Sequence, residues 1–258
     1  MQWWMGALGI LSFETIRAEN KILESMTNSP SYKVNGPLAS VIIPAYNEEN
    51  YIPATLTALS NQTYSPIEVI VVDNMSDDDT VLVSTNFGAI VLTNPVPANV
   101  NMSRNIGAMA SNGDYLIFID ADTVPESRAV EESVHALQNG MDMIFPNKVS
   151  TSNHFFSMVR TLAGWLDPAE LSAGGAYIAT RRDVFDSVGG WDESLNPLTG
   201  EGGEDGRVFT RHIKSAGFRV GMLKSIYVGT SDRIRLGEGL LHLRSPWTTR
   251  AIRQYRGG

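Results

Sequence analysis

Short apolar runs alternate with segments of helical spacing along the chain after residue 40, and this alternation restricts the possible folds most strongly. The runs are rich in Val and Ile and end in polar or turn residues, as buried parallel strands do. They are SVIIPAY (40–46), IEVIVVDN (67–74), AIVLTN (89–94), YLIFIDAD (115–122) and MDMIFPN (141–147). Helical spacing occupies the intervals 48–62, 78–88, 99–113 and 125–140. Strands that alternate with helices predict βαβ units and a parallel sheet with right-handed connections.

The pattern changes after about residue 148, although no repeat or low-complexity linker separates the two parts of the chain. A helix is predicted at 154–166, and a last strand is predicted at 219–231. We therefore expect the two parts to share one core over residues 40–231. A peripheral arm at 1–39 precedes this core, and a basic segment at 232–258 follows it.

The composition is compatible with one α/β domain and excludes several classes of function. With 258 residues, of which 43% are hydrophobic, the chain can bury a sizeable core, and 23 Gly and 12 Pro indicate many tight turns. A net charge of −8 argues against a nucleic-acid partner bound through its phosphates. Because the chain has no cysteine, disulfides and thiolate zinc sites are excluded, which fits a reducing, cytoplasmic location.

The two ends of the chain are the segments that suit contact with a membrane surface. No stretch reaches the roughly 18 apolar residues of a membrane span, and MQWWMGALGILSF lacks the features of a signal peptide. Trp3 and Trp4 suit a membrane interface, and the arginine-rich RSPWTTRAIRQYRGG suits an anionic surface. The alternatives are peripheral contact with the cytoplasmic membrane face and docking on the protein or on another subunit.

Acids and amides follow three of the predicted strands, at the edge where ligands bind in open α/β sheets. Glu48 follows the first strand, Asp73 ends the second, and Asp120 and Asp122 end the fourth. The sequence has no G-x-G-x-x-G motif after the first strand, which disfavours a dinucleotide oxidoreductase. It also has no G-x-x-x-x-G-K-[ST] motif, which disfavours a P-loop NTPase.

Asp120 and Asp122 lie two residues apart, so both side chains can lean toward the same side of the strand end. Oxygen ligands without thiolate suit Mg²⁺ or Mn²⁺, which commonly bind one or two carboxylates and the phosphates of a substrate. The alternative is a solvated strand end with an Asp that caps the following helix.

Asp73 and Arg104 have both binding and structural interpretations. Asp73 can accept a hydrogen bond from a base or ribose, or it can form a turn in the acidic loop DNMSDDDT. Arg104, near the start of a predicted helix, can direct donors to a phosphate or base, or it can form a structural salt bridge.

Glu204 and Asp205 follow a glycine-rich loop and begin a helical pattern. An acid at a helix N-terminus is stabilised in its ionised form, so either residue can be a simple cap. The alternative is a carboxylate that takes a proton from an incoming hydroxyl. Trp191 can stack on a sugar ring or pack in the core, and its spacing does not separate these alternatives.

Five blocks of the sequence together resemble family 2 glycosyltransferases, over roughly residues 39–230. In order they are VIIPAYNEENYIPATLTALSNQTY, IEVIVVDNMSDDDT, SRNIGAMASNGDYLIFIDADT, RRDVFDSVGGWDESL and GGEDGRV. The resemblance implies a GT-A fold, in which a nucleotide-binding α/β half (about 40–147) joins an acceptor-binding half (about 148–231). One mixed, mostly parallel central sheet connects the two halves.

The resemblance also implies roles for the residues of the site. Residues similar to those that line the nucleotide pocket or contact the base are Pro44, Tyr46, Glu48, Asp73 and Arg104. Asp120 would face the ribose or donor sugar, and Asp122 would hold a Mn²⁺ or Mg²⁺ ion that bridges the diphosphate. Asp205 would be the general base, and Glu204 beside it would touch donor or acceptor. Trp191 is our candidate acceptor contact.

The implied reaction is direct displacement with inversion at the anomeric centre. A metal can neutralise the leaving nucleoside diphosphate, while a carboxylate on the opposite side deprotonates the acceptor hydroxyl. Members of the family often bring a late basic or histidine residue to the diphosphate, and here Arg233, Arg235 and His242 are the candidates. The chain lacks the long transmembrane tail of processive polysaccharide synthases, which favours transfer of a single sugar.

Two other functions compete with this one. A sugar nucleotidyltransferase should have a glycine-rich G-x-G-T-R-like loop and a nearby Lys, which PAYNEEN does not have. A non-catalytic protein that binds a sugar nucleotide or glycan would be expected to have lost Asp122 or Asp205. For the donor we favour a UDP-sugar, with GDP-mannose second. The acceptor stays open among a polyprenyl phosphate, a lipid-linked glycan, a protein and a soluble sugar.

Overall fold

The protein is described here from a computed structural model. The backbone is described for residues 2–96, 99–150, 175–195, 205–231, 233–236 and 239–242. Side chains are described for residues 15–96, 99–149, 175–195 and 205–231. The helix expected at 154–166 and the glycine-rich loop before Asp205 lie outside these ranges.

Seven helices and ten strands make up the described part of the chain. The helices are α1 (Gln2–Thr27), α2 (Ile52–Ser60), α3 (Thr80–Asn86), α4 (Val100–Ala110), α5 (Ala129–Gln138), α6 (Arg182–Ser187) and α7 (Asp205–Ser215). The strands are β1 (Val34–Ala45), β2 (Tyr64–Asp73), β3 (Ile90–Thr93), β4 (Tyr115–Ile119), β5 (Thr123–Pro125), β6 (Met143–Ser150), β7 (Tyr177–Arg181), β8 (Val220–Thr230), β9 (Arg233–Leu236) and β10 (Gly239–His242).

A mixed eight-stranded sheet runs through the molecule in the order β3-β2-β1-β4-β7-β6-β8-β5. Strands β3, β2, β1 and β4 are parallel neighbours, as the alternation of strands and helices predicts. Strand β7 pairs antiparallel with both β4 and β6, and β6 pairs parallel with β8. The first part of the chain therefore builds a parallel half-sheet, and the later strands extend it beyond β4 through antiparallel and parallel pairs. The remaining pair, β9 and β10, forms a separate antiparallel ribbon.

The order β2-β1-β4 brings the predicted strand ends to one edge of the sheet. Ala45 pairs in parallel register with Asp73, so the loops after β1 and β2 leave the sheet together. Ile42 of β1 pairs with Phe118 of β4, which places the end of β4 beside them. The acids and amides that follow these strands consequently share an edge.

Alternation along each strand divides the core between the two faces of the sheet. In β4, Ile117 and Ile119 pack on the face that α2, α3 and α5 cover, whereas Leu116 and Phe118 point to the opposite face. That second face is covered by α4, α6 and α7. Both faces are apolar because helices cover both, as in other parallel α/β sheets.

Some boundaries differ from those that the sequence predicts. Strand β1 begins at Val34, inside the segment expected to be an arm. The run expected to continue to Asp122 ends at Ile119, and the chain turns through 120–122 into the short strand β5. Helix α5 therefore begins at Ala129 instead of near residue 125. Pairing of β5 with β8, about 100 residues later, stabilises this unexpected strand.

Most of the predicted arm is one helix, and the end of α1 docks on the body of the protein. Ala18, Ile22 and Met26 are buried against side chains of α2, β5 and β6. Lys21 donates to Glu126 at 3.3 Å and to the Ser225 carbonyl at 3.2 Å, which adds polar contacts to this interface. Within the described residues, no helix is both long enough and apolar enough to traverse a bilayer.

Helix α4 packs directly on the sheet at Gly107. A Cβ atom at this position would overlap the Ile42 side chain and lie 3.2 Å from Cγ2 of Val72. We predict that Gly107→Val lowers the free energy of unfolding by about 2 kcal/mol, because the helix would have to move off the sheet. Urea denaturation measures this change.

Met109, on the same helix and 87% exposed, supplies the control. Met109→Ala should change the free energy of unfolding by no more than about 0.5 kcal/mol. Equal effects of the two substitutions would contradict close packing of α4 at Gly107.

Candidate functional site

Hydrogen bonds from backbone N–H groups join the loops that leave β1 and β2. The Asn74 N–H donates to the Ala45 carbonyl at 2.8 Å, and the Glu48 N–H donates to Oγ1 of Thr80 at 2.7 Å. In the opposite direction, the Asp77 N–H donates to Oδ1 of Asn47 at 3.0 Å. The two loops therefore form one rigid wall at the carboxyl edge of the sheet.

The residues predicted to contact the nucleotide lie on this wall but differ in exposure. Pro44 is buried at the end of β1, and Tyr46 just after it is 54% exposed. Glu48 and Asp73 are buried. The carboxylate of Asp73 accepts the Ser76 N–H at 3.2 Å, so the turn that the sequence suggested is present. Contact of these four residues with a nucleotide stays a prediction.

Asp120 and Asp122 lie in the turn between β4 and β5. The Asp120 N–H donates to the Ala176 carbonyl at 3.1 Å, and its own carbonyl accepts the Thr123 N–H at 3.0 Å. The hydroxyl of Ser231, at the end of β8, donates to the carboxylate of Asp122. The turn is thus held from two sides, and both carboxylates remain near the edge of the sheet.

Arg104 connects the turn between β4 and β5 with the start of α7. Its Nη2 donates to Oδ1 of Asp120 at 3.0 Å, and its Nη1 donates to Oδ2 of Asp205 at 2.5 Å. Nη1 also donates to Oδ1 of Asn101 at 2.9 Å. Only 3% of the Arg104 side chain is exposed. The salt-bridge alternative is therefore present in the structure, while contact with a nucleotide base stays a prediction.

Trp191 lies beneath the guanidinium group of Arg104. The ring is buried, and Cζ of Arg104 is 4.4 Å from its centroid, within the range of a cation–π contact. On its other side the ring stacks on Phe209 at 4.2 Å, and it meets Phe118 edge-on at 5.3 Å. Trp191 therefore packs in the core, as one of its two alternatives predicts. A contact between Trp191 and an acceptor stays a prediction.

The charges in this cluster shift the pKa values of the two carboxyl groups in opposite directions. Burial by itself would raise the pKa of Asp205, but the charge and the hydrogen bond of Arg104 outweigh it and hold the pKa below its ordinary value. Desolvation raises the pKa of Asp120 although 36% of its side chain is exposed. Arg104 opposes that rise, while Asp122 and Asp205 add to it. Asp205 is consequently the more acidic group.

Asp205 is also the first residue of α7, where the helix dipole favours a negative charge. The Gly206 N–H bonds to its carboxylate and further lowers its pKa. Asp205 can therefore cap α7 and also act as a functional carboxylate. Glu204, its predicted partner, lies outside the described residues.

Two residues of the site have no local signal in the sequence. Lys148 of β6 carries a positive charge that lowers the pKa values of both Asp120 and Asp205. Ser231 contacts Asp122 across 109 positions of the chain. Both reach the site only through pairing among β5, β6 and β8, which sequence spacing alone does not reveal.

The C-terminal residues predicted to contact the diphosphate lie in the β9–β10 ribbon. His242 of β10 pairs with Arg233 of β9, and Arg235 pairs with Leu240. The side chains of this ribbon are outside the described residues, so their predicted role stays a prediction.

The donor atoms at the β4–β5 turn fit a hard divalent cation. Asp122 supplies carboxylate oxygens, and Mg²⁺ or Mn²⁺ characteristically bind one or two carboxylates together with substrate phosphates. Among the described side chains, no group of three or more His, Asp or Glu converges as a metal cage. The assignment of Asp122 as the residue that holds an ion stays a prediction.

Residues 40–225 match the family model described as Glycosyl transferase family 2. A Haemophilus influenzae protein named "Uncharacterized glycosyltransferase" is 30% identical over 175 residues, which are 62% of this chain and 58% of that protein. The chain spans only about half the length of the curated relatives that it matches, between 46% and 58% for three of them.

Two solved structures share the fold. Mannosyltransferase PcManGT from Pyrobaculum calidifontis, in complex with GDP-Man and Mn²⁺, matches with a TM-score of 0.59 and 18% identity, over 87% of this chain and 65% of that one. S. aureus TarS 1–349 in complex with UDP-GlcNAc matches with a TM-score of 0.57 and 18% identity, over 78% and 59% of the two chains. The likeness confirms the predicted GT-A fold.

The buried ion cluster generates a prediction about stability. Arg104→Met leaves two carboxylates without their cation, and we expect it to lower the free energy of unfolding at pH 7 by about 3 kcal/mol. In the wild type the pKa of Asp205 is depressed, so its pairing stabilises the fold above its unfolded pKa of about 4 and is lost as the pH falls further. Removal of Arg104 raises the pKa of both acids, so the loss caused by Arg104→Met should shrink as the pH falls from 7 and both carboxylates become protonated.

Urea midpoints at pH 7 and at acidic pH measure this dependence. Arg128→Met is the control, because Arg128 is 49% exposed and pairs with Glu132 on the surface of α5. It should cost less than about 1 kcal/mol. A loss for Arg104→Met that does not change with pH would contradict the charge-pairing interpretation.

Proposed function

The chain belongs to glycosyl transferase family 2, and on this premise we propose that it transfers one sugar from a nucleoside-diphosphate sugar to an acceptor hydroxyl, with inversion. The observation that carries the proposal is the single guanidinium of Arg104 that contacts both Asp120 and Asp205. A carboxylate at the donor-side turn and a second carboxylate on another element thus belong to one site. In-line displacement needs a proton acceptor on the side of the sugar opposite the leaving group, and the proposal assigns that role to Asp205.

Asp205 is the general base in this proposal. It must be ionised to take the proton of the acceptor hydroxyl, and its lowered pKa keeps it ionised at neutral pH. Asp120 would accept a hydrogen bond from the ribose or from a hydroxyl of the donor sugar. It retains 36% exposure of its side chain, so one part of the carboxylate is accessible while Arg104 holds the other.

Asp122 would hold a divalent cation beside the diphosphate. When bound, such an ion supplies positive charge that stabilises the departing nucleoside diphosphate. The chain's own contribution is to orient the Asp122 carboxylate through the hydroxyl of Ser231. The PcManGT complex with Mn²⁺ supports divalent-metal use by proteins of this fold.

The donor and the acceptor are the least constrained parts of the proposal. TarS is described with UDP-GlcNAc and PcManGT with GDP-Man, so both nucleotides occur among structures of this fold. We favour a UDP-sugar and rank GDP-mannose second. A glycan, a lipid-linked acceptor and a small molecule all present the hydroxyl that the mechanism needs.

The base assignment predicts the effect of Asp205→Asn. The amide preserves the shape of the side chain but accepts no proton, so we expect kcat to fall by about 100-fold or more. Nucleotide affinity should stay within about threefold, because the base acts on the acceptor side. A panel of UDP- and GDP-sugars, assayed by nucleotide release, measures turnover, and calorimetric titration measures affinity.

Asp183→Asn is the matched control, since Asp183 on α6 is 73% exposed and pairs with Arg181 away from the cluster. Its kcat should equal that of the wild type. Normal turnover of Asp205→Asn with intact nucleotide binding would show that Asp205 is not the base.

The metal assignment makes a separate prediction. Asp122→Asn keeps an oxygen that can accept from Ser231 but removes the charge that attracts the cation. We expect it to weaken Mn²⁺ binding by at least about tenfold and to raise the Mn²⁺ concentration needed for turnover. Titration of Mn²⁺ in the presence of nucleoside diphosphate measures the affinity directly. Activity that persists in excess chelator would contradict the role of Asp122.

A further inference from the structure

We propose that Arg104 and the ring of Trp191 are positioning residues that fix the base Asp205 relative to the donor-side carboxylate Asp120. This inference rests on the proposed function, because it concerns how the same site is organised. Neither residue needs to touch donor or acceptor for this role. Trp191 acts through Arg104, and Arg104 acts through the two carboxylates.

The contacts of Arg104 leave its guanidinium little freedom. Nη1 donates to Asp205 and Asn101, and Nη2 donates to Asp120, so the two terminal nitrogens point in defined directions. The Trp191 ring covers one face of the group at 4.4 Å. A rigid, planar fork of this kind fixes the separation of two carboxylates better than a flexible ammonium group would.

Gly175 shows how closely the surrounding chain approaches this fork. A Cβ atom there would lie 2.6 Å from Nη2 of Arg104 and 3.3 Å from Oδ2 of Asp205. Glycine is thus the residue that lets the chain before β7 pass against the ion cluster. Any side chain at this position would push on the guanidinium without changing its charge.

Asparagines of α4 tie Trp191 to the same helix as Arg104. Nδ2 of Asn105 donates to the Trp191 carbonyl at 2.9 Å, and Oδ1 of Asn105 accepts the Trp191 N–H at 2.9 Å. Nδ2 of Asn101 donates to the Asp192 carbonyl at 2.8 Å. The ring and the guanidinium are therefore anchored to one helix.

Charged groups reach Asp205 from three other elements. Arg104 approaches from α4, Asp120 from the turn after β4, and Lys148 from β6, while the Gly206 N–H comes from α7 itself. Among the charged side chains it is Arg104 that hydrogen-bonds to Asp205 directly, so its removal should change both the orientation and the acidity of the base. Asp205 would then require a higher pH to be ionised.

A double-mutant cycle tests whether Arg104 acts through Asp205. The protein is assayed as the wild type, Arg104→Met, Asp205→Asn and the double variant, with the donor that gives turnover. We expect Arg104→Met to lower kcat by about 100-fold, with donor KM changed by less than about threefold. In the Asp205→Asn background, Arg104→Met should cost no more than about threefold further.

The pH profile of kcat is the second measurement, because it would not change if Arg104 had only a structural role. The acidic limb should lie at higher pH in Arg104→Met than in the wild type, because the base loses its cation. Arg104→Lys should recover part of kcat and part of the shift, since an ammonium group can pair with one carboxylate. Trp191→Phe and Gly175→Ala should each lower kcat and leave the KM of the acceptor unchanged. Both remain informative if Arg104→Met does not fold.

Arg182→Met is the matched control for loss of a structural arginine. Arg182 donates to the carbonyls of Ala108, Ser111 and Gly113 at the other end of α4. Its loss should lower the melting temperature without moving the acidic limb of the kcat profile.

The outcomes separate this inference from the proposed function. Normal turnover of Asp205→Asn would overturn the base assignment, and the positioning role would fall with it. If Asp205→Asn lowers kcat but the losses of the two single variants multiply in the double variant, only the positioning role is overturned. An acidic limb of the kcat profile that does not move in Arg104→Met would likewise overturn only the positioning role. A rise in acceptor KM at Trp191→Phe with kcat unchanged would assign Trp191 to the acceptor instead.

Discussion

The ion cluster centred on Arg104 is the interaction on which the organisation of the site depends. Burying a guanidinium between two carboxylates costs desolvation free energy, which is offset only if the buried polar atoms find well-directed partners. Asp120, Asp205 and Asn101 accept from its two terminal nitrogens, and the Trp191 ring covers one face, whereas the buried Nε has no hydrogen-bond partner among the described residues. Two carboxylates and one guanidinium leave one net negative charge, and Lys148 lies near enough to lower the pKa of both acids. Such a cluster contributes less to net stability than to a single defined geometry.

The fold supports this cluster from beneath with apolar side chains. Phe118 of β4, Trp191 after α6 and Phe209 of α7 pack together on one face of the sheet. Antiparallel pairing of β4 with β7 brings the segment that contains Gly175 against the end of β4. The turn after β4 and the start of α7 therefore meet on a common aromatic layer. This layer excludes water from Arg104, which strengthens each of its polar contacts.

Local sequence patterns predicted the parallel half-sheet well and the later strands less well. Strands β1 to β4 were recognised because each is a short run of Val and Ile between helical segments, and their acids lie at the edge where α/β sheets bind ligands. The sequence does not predict strand β5 and places only its last residue, Pro125, in a helix, because three residues carry no measurable periodicity and only pairing with β8 makes them a strand. The sequence predicts only an arm where α1 lies, although Ala18, Ile22 and Met26 recur every four residues and dock on α2, β5 and β6.

The sequence by itself determined the α/β class, the family and the positions of the acids that would serve the donor and the base. Those features are local, since each resides in a strand end or a short motif. Only the tertiary structure decided that Arg104 joins Asp120 to Asp205, that Trp191 lies under Arg104, and that Ser231 contacts Asp122. Asp205 lies 101 positions from Arg104, and Ser231 lies 109 positions from Asp122. Contacts over such separations depend on the order of strands in the sheet and on which face each helix covers, and neither is encoded in local spacing.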